Sequence, residues 1–232
     1  MWGRRRLCRD GDVRRNDATP PPSWPPGVAY LVRPRLERAF PKELVPLLTT
    51  NAVPFNPRPS THPSSVGIKI VSDPSHPAHG QRSLVALKRI SRNTLVLPYL
   101  GVLHATLTAA VDDPATTPNP LALKYMGGPD PHADSDYDLS LLRLSASDIR
   151  NPFPGTHVSI GVDAAQAGNA ARFVNDYRGV SGAGANAEFR LGRGEGGEMR
   201  MEVWSRRDIN KGEELLVSYG KGWWGARTGN SS

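Results

Sequence analysis

Apolar residues in this chain recur in short alternating or β-branched runs rather than on a helical period. Between residues 66 and 219, VGIKIV, RSLVALK, TLVLPYLGVL, YDLSLL, HVSIGV, NAEFRL, MRMEVW and ELLVSY are separated by Gly, Pro, Asn and Asp, the punctuation of turns between strands. The pattern predicts a mainly β domain built from small sheets. One helical signal precedes it. In RPRLERAFPKELVPLLTT, Leu36, Phe40, Leu44 and Leu47 recur at three- and four-residue steps, which predicts a short helix interrupted at Pro41 and Pro46. Two stretches follow neither period. TLTAAVDDPATTPNPLALKYMGGPDPHADSD reads as a long insertion, and RGVSGAGANAEFRLGRGEGGEM as a flexible loop, a strand and a hairpin turn.

Proline divides the chain. Of its 22 prolines, 14 fall between Pro20 and Pro77 and none follows Pro154. DATPPPSWPP cannot donate most of its backbone hydrogen bonds and reads as an extended linker, which places a boundary near Gly27. The expected organisation is an Arg/Pro-rich tail over 1–26, a flanking segment with a short helix over 27–65, the β domain over 66–222 with its insertion at about 105–136, and a C-terminal tail over 223–232.

Charge and cysteine narrow the class. Residues 1–40 hold nine arginines against Asp10, Asp12, Asp17 and Glu37, so most of the formal charge of +7 lies there and the body is nearly neutral. RRRLCRDGDVRR reads either as a solvated tail or as a nuclear localisation or phosphate-attracting patch. The latter puts the protein in the nucleus, with nucleic-acid contact through this arm alone. The single thiol, Cys8, excludes an intramolecular disulfide framework and a multi-cysteine zinc site. No apolar run reaches the length of a membrane span, and the N-terminus lacks a secretory apolar region; the expectation is a soluble chain that meets no membrane.

The most informative stretch is GNAARFVNDYRG, residues 168–179, followed by Asn186 in NAEF and by KGEELLVSYG, residues 211–220. On residue chemistry alone, Gly168 and Asn169 make a turn, Phe173 and Val174 a buried pair, and Asn175 with Asp176 a polar loop. His76 and His79 in SHPAH have a zinc-like spacing but no accompanying ligands, so they read as loop histidines and no metal is expected. The carboxylates of Asp112, Asp113 and DPHADSDYD read as a solvated loop or a surface that meets a basic substrate tail.

In this order the three elements resemble the SET domain of protein lysine methyltransferases, whose signature runs GN-x-x-RF-x-NHSC, an asparagine-containing strand, then GEEL-x-x-x-Y. Upstream, HGQRSLVALKRISRNTLVLPYLG is similar to the opening strands of that domain, G-x-G-L-x-A and then Y-x-G-E. The resemblance covers about residues 66–222 and looks nearest to SET proteins of filamentous fungi. It implies several small curved sheets with a knot-like threading of the C-terminal segment, and S-adenosylmethionine as cofactor. It also implies methyl transfer to a lysine ε-amine of a histone or another protein.

Residue by residue, the resemblance puts the catalytic tyrosine at Tyr219 and a second channel tyrosine at Tyr99. Cofactor contacts fall on Gln81, Arg82, Ser83, Leu84, Arg172, Phe173, Asn175 and Asp176. Gln81 and Ser83 stand where the family has the glycines of G-x-G, and Gly80 lies one residue early; if Ser83 took a positive φ, the cost would be about 1 kcal/mol or more. Asp176 and Tyr177 replace the usual histidine and serine. Lys221 stands two residues past the catalytic position, where the family often has an aromatic residue that influences methyl number. Trp223 with Trp224 reads either as an aromatic lid over adenine, in place of the zinc-binding cysteines that some family members carry there, or as ordinary packing. The departures leave a second reading, a catalytically inactive SET-like domain that serves as a chromatin or protein interaction module.

Overall fold

The structure is a computed structural model, which describes residues 19–49, 60–110, 119–194 and 197–219. The arginine patch, Cys8, Asp112, Asp113, Lys221, Trp223 and Trp224 lie outside them. Strands run in the order β1 (Ala29–Tyr30), β2 (Arg35–Leu36), β3 (Val66–Ile70), β4 (Arg82–Ala86), β5 (Leu95–Tyr99), β6 (Val102–Ala109), β7 (Asp138–Leu144), β8 (Thr156–Asp163), β9 (Ala167–Gly168), β10 (Asn175–Asp176), β11 (Ala187–Arg193), β12 (Met199–Ser205) and β13 (Leu216–Val217). They form one four-stranded sheet, β2-β6-β8-β7, one three-stranded sheet, β11-β12-β5, and the pairs β3-β4, β1-β9 and β10-β13. This is the mainly β architecture of small sheets that the alternating pattern predicts.

Alternation decides which face each strand buries. In β8, Val158, Ile160 and Val162 point into the core, and Leu103 and Leu107 of β6 stand opposite Val162 and Val158. Cross-strand apolar pairs of this kind set the register. Each buried leucine or valine contributes about 2 kcal/mol relative to exposure. Parallel pairing brings Leu36 of β2 beside Leu103, tying the N-terminal flank to the same core.

Three expectations change in detail. Residues 105–109, predicted to open the insertion, extend β6 because they pair with Ile160 through Thr156 of β8; small residues alternating about Leu107 hid a period of two. Before the domain, Leu36 belongs to β2, and the helix is a 3-10 turn at Lys42–Leu44 running into α1, Val45–Leu48. Pro41 precedes that turn as its N-cap, and Pro46 lies in the first turn of α1, where a missing N–H leaves nothing unpaired. Finally, Trp24 of the proline-rich segment packs edge-to-face on Phe173 and Tyr30, at 5.5 and 5.0 Å between ring centroids, so packing begins upstream of Gly27.

The C-terminal segment carries the fold to its site. Its Gly212 and Leu215 amides donate to Ala86 and Leu84 of β4, and β13 then pairs in parallel with β10. Asn186 joins the two. Its amide Nδ2 donates to the Glu214 carbonyl at 2.7 Å, while its Oδ1 accepts from the Leu216 amide at 2.8 Å. Among the described residues no helix is long and apolar enough to cross a membrane, and no group of three or more His, Cys, Asp or Glu is arranged to hold a metal.

Candidate functional site

Two tyrosines from opposite ends of the domain meet where β5 ends and β13 leaves the sheet. Tyr99 closes β5 and is 5% exposed. Its hydroxyl donates to the Tyr137 carbonyl at 2.7 Å, and Phe189 packs edge-to-face on its ring at 5.6 Å. Tyr219 follows β13, and its hydroxyl donates to the Val174 carbonyl at 2.8 Å. Burial pushes Tyr219 well above the ordinary tyrosine value, and Asp176, Tyr137 and Glu214 add to the rise. Tyr99 is raised by burial first and by neighbouring Tyr219 next. Both phenols therefore stay protonated near neutral pH, giving their hydrogens to backbone carbonyls and presenting oxygen as an acceptor.

Gly101 shapes the corner after Tyr99. A Cβ there would lie 2.4 Å from the Asp163 carbonyl oxygen, so the chain passes β8 more closely than a side chain allows. Asn169 pins the corner from the other side: its Oδ1 accepts from the Leu100 amide at 3.1 Å and its Nδ2 donates to the Pro98 carbonyl at 2.8 Å. The turn residue of the sequence reading is thus a clasp that fixes Tyr99.

Asp176 organises the second tyrosine. It is 7% exposed, accepts the backbone amides of Tyr219 at 2.7 Å and Arg178 at 2.8 Å, and pairs with the Arg178 guanidinium at 3.0 Å. A carboxylate in place of the usual histidine therefore does a definite job here, fixing the backbone on which Tyr219 is mounted. Asn175, its neighbour, donates from Nδ2 to Glu214 Oε1 at 2.7 Å and to the Arg82 carbonyl at 3.4 Å.

The other sequence-predicted residues sit around this centre in different ways. Gln81 is exposed, and its carbonyl accepts from the Val71 amide. Arg82 turns outward, with Nε donating to the Ser23 carbonyl at 2.8 Å. Ser83 and Leu84 are 4% and 0% exposed, in register with Lys69 and Ile68 of β3. Ser83 is not among the positive-φ residues; Gly80 is, at φ +78°, with nothing within 4 Å of where a Cβ would stand. The left-handed turn lies one residue before Gln81, and Ser83 bears no such strain. Arg172 donates to the Ala164 and Ala165 carbonyls at 2.9 and 3.2 Å and lies over the Tyr137 and Phe173 rings. Its guanidinium holds the turn after β8. Phe173 is 5% exposed beneath Trp24.

Sequence reasoning did not single out Glu214 or Tyr137. Glu214 was legible as part of GEEL, but its side-chain partners were not, and Tyr137 acts through a carbonyl that no motif reports.

A model of the SET domain family matches residues 81–220. No curated protein matches the chain. Among solved structures, a humanized mutant of the Chaetomium thermophilum Polycomb Repressive Complex 2 bound to an inhibitor is 20% identical with a TM-score of 0.41, over 68% of this chain and 15% of that one. ATXR5 in complex with mono-methylated histone H3.1 is 20% identical with a TM-score of 0.41, over 66% and 57%. The Chaetomium thermophilum complex in an autoinhibited conformation bound to S-adenosylmethionine is 22% identical with a TM-score of 0.40, over 67% and 15%. This chain thus spans less than two thirds of each of those chains. With the family match extending from the strand before Tyr99 to the residue after Tyr219, the chain belongs to the SET domain family.

Proposed function

We propose that this protein is an S-adenosylmethionine-dependent protein lysine N-methyltransferase. The observation that carries the reading is the pair of protonated tyrosines, Tyr99 buried and Tyr219 partly buried, each with its hydrogen committed to a backbone carbonyl. Two phenolic oxygens that act as acceptors suit an amine. Aromatic walls admit a lysine stem, exclude water and face a substrate nitrogen that becomes cationic.

The residues that the family resemblance assigns to the cofactor fit it. Gly80 supplies an open left-handed turn before β4, Gln81 lies exposed beside it, and Asn175 commits its Nδ2 to Glu214 and the Arg82 carbonyl, which leaves Oδ1 as the acceptor that this side chain can offer. When bound, S-adenosylmethionine supplies a methyl group whose bond to sulfur breaks as the bond to nitrogen forms. The lysine amine attacks as the neutral base, having lost its proton to solvent. Tyr219 and Tyr99 orient it, and alignment of reactants can save about 7 to 11 kcal/mol of barrier. Neither tyrosine acts as a base, since both are raised above the ordinary value. The substrate is a histone or other protein, and a nuclear site of action follows from that reading. The expected organisation, a domain over 66–222 flanked by an N-terminal segment and two tails, belongs to the same proposal.

Calorimetric titration with S-adenosylmethionine and S-adenosylhomocysteine tests the cofactor assignment, and a labelled-methyl screen of histones and cell extract tests the transfer. Micromolar binding with a labelled protein band, lost in Tyr219→Phe, is the expected result. A folded sample that binds neither compound removes the methyltransferase reading and leaves an interaction module.

A further inference from the structure

By sequence His76 reads as a loop histidine, and the structure gives its ring two definite partners. Its Nδ1 accepts from the Ala78 amide at 2.9 Å, which places the ring hydrogen on Nε2. Nε2 then donates to Glu214 Oε2 at 3.1 Å, and the other oxygen of that carboxylate accepts from Asn175 Nδ2 at 2.7 Å. The two side chains are largely enclosed, with 9% of His76 and 15% of Glu214 exposed. A chain of three hydrogen bonds thus runs from a backbone amide, through the imidazole and the carboxylate, to the amide of Asn175.

The consequence lies in which way that amide faces. Asn175 Nδ2 stands between two acceptors, the Glu214 carboxylate and the Arg82 carbonyl. A flipped amide would set its oxygen against both, so the carbonyl end must turn away from them. Glu214 enforces this orientation as long as its own carboxylate is held in place, and His76 holds it. The supporting loop is itself well tied. Its ends meet through Gly80 N to the Val71 carbonyl at 2.9 Å and Val71 N to the Gln81 carbonyl at 2.8 Å, and His79 N bonds the His76 carbonyl at 2.9 Å. Across the site, Pro77 lies so close to Gly179 that a Cβ on Gly179 would fall 2.7 Å from its ring. The loop therefore bears on the segment that follows Asp176 as well as on Glu214.

We propose that His76, acting through Glu214, is a positioning residue that locks the Asn175 amide with its oxygen turned toward the ammonium group of a bound α-amino-acid moiety. The inference rests on the cofactor reading above, and it adds a loop that lies before the matched residues 81–220. The acceptor oxygen offers a hydrogen bond to the ammonium, and the Glu214 carboxylate behind it adds charge of the favourable sign. With His76 removed, Glu214 is free to turn to water, the amide samples both faces, and the ammonium loses a fixed partner.

The test compares two ligands that differ in that group. S-adenosylhomocysteine carries the amino-acid end, whereas 5′-methylthioadenosine keeps the nucleoside and thioether and lacks it. Titrating the full chain, we expect His76→Ala to weaken S-adenosylhomocysteine about tenfold, the scale of one hydrogen bond to a charged group. Binding of 5′-methylthioadenosine should change less than about twofold. His76→Gln, which restores a donor toward Glu214, should recover most of the loss, and His76→Ala should add nothing in an Asn175→Ala background. Equal weakening of both ligands, unaltered affinity for S-adenosylhomocysteine, or additive effects in the double variant would each overturn the inference. Melting curves accompany every variant, and His76→Phe, which keeps the volume without the donor, takes the place of His76→Ala if the latter unfolds. A wild-type chain that binds neither ligand brings down the cofactor reading itself, whereas wild-type binding with unchanged variants brings down this inference alone.

Discussion

At the scale of single residues, the hydroxyls of Tyr99 and Tyr219 do more than fill space. Each gives its hydrogen to a carbonyl, of Tyr137 and Val174 respectively, so removing the oxygen leaves a carbonyl short of a donor and, under the proposed function, the substrate amine short of an acceptor. Tyr219→Phe should lower turnover by roughly 10² or more, the effect of losing one oriented polar group at a reacting centre. The affinity for S-adenosylhomocysteine should hardly move. Single-turnover kinetics beside calorimetry separate the two, and full activity in the variant would remove Tyr219 from the mechanism. Because burial and nearby acids raise both phenols, the pH–rate profile should follow the substrate amine. Asp176 shows how a departure from a family motif is absorbed: histidine is gone, yet its carboxylate accepts the Tyr219 amide. That role was invisible in the sequence because the partner is a backbone group 43 residues away.

Among the elements, the turn into β4 and the segment before β7 carry the sharpest expectations. Gly80 has φ +78° with open space around the missing Cβ, so Gly80→Ala incurs backbone strain alone. It should cost about 1 kcal/mol of stability, read as a shift in the denaturant midpoint at constant slope; an unchanged midpoint would show that the loop relaxes freely. The segment before β7 holds His132, whose ring stacks on His104 at 3.8 Å between centroids. Burial opposes its charge, but the hydrogen bond and charge of Asp163, with Glu37 and Asp130, outweigh burial and raise it. His104 in turn bonds Asp138. A raised folded-state value means that protonated His132 stabilises the fold. That contribution is complete below about pH 6.5, the ordinary imidazole value, and is lost as pH rises through the higher folded value. The melting-temperature gap between wild type and His132→Gln should therefore be widest near pH 5.5 and shrink toward pH 8.5. A gap that widens with pH would reverse the assignment. Since Tyr137 follows five residues later and accepts the Tyr99 hydroxyl, the histidine cluster and the tyrosine pair share one stretch of backbone.

Across the whole molecule, the N-terminal flank is part of the folded body. Parallel pairing joins β1 to β9 and β2 to β6, and Trp24 sits on Phe173, two residues before Asn175. Its indole also donates to the Val28 carbonyl at 2.7 Å. Replacing this half-buried ring by alanine should cost about 2 kcal/mol, below the value for a fully buried tryptophan. It should also weaken S-adenosylhomocysteine, because Phe173 underlies the turn that carries Asn175. Differential scanning calorimetry and titration of Trp24→Ala check both. Stability equal to wild type would mean that the flank rides on the domain without supporting it.

The sequence by itself determined the β class and eight of the strand-forming runs, because strand periodicity is a local property of the chain; a motif read in order is local too, and it supplied the two tyrosines on which the proposed function rests. Its alternating positions say which face of a strand is apolar, and GN, RF and GEEL mark where the site is assembled. The tertiary structure alone decided what those residues do to one another. His76 and Glu214 stand 138 residues apart and meet at 3.1 Å; Arg172 spends its guanidinium on the carbonyls of a turn; and the left-handed turn sits at Gly80, one residue before the stretch that aligns with G-x-G. Hydrogen bonds of this kind depend on distances set by packing between remote segments, and no local pattern of hydrophobic and polar positions encodes them.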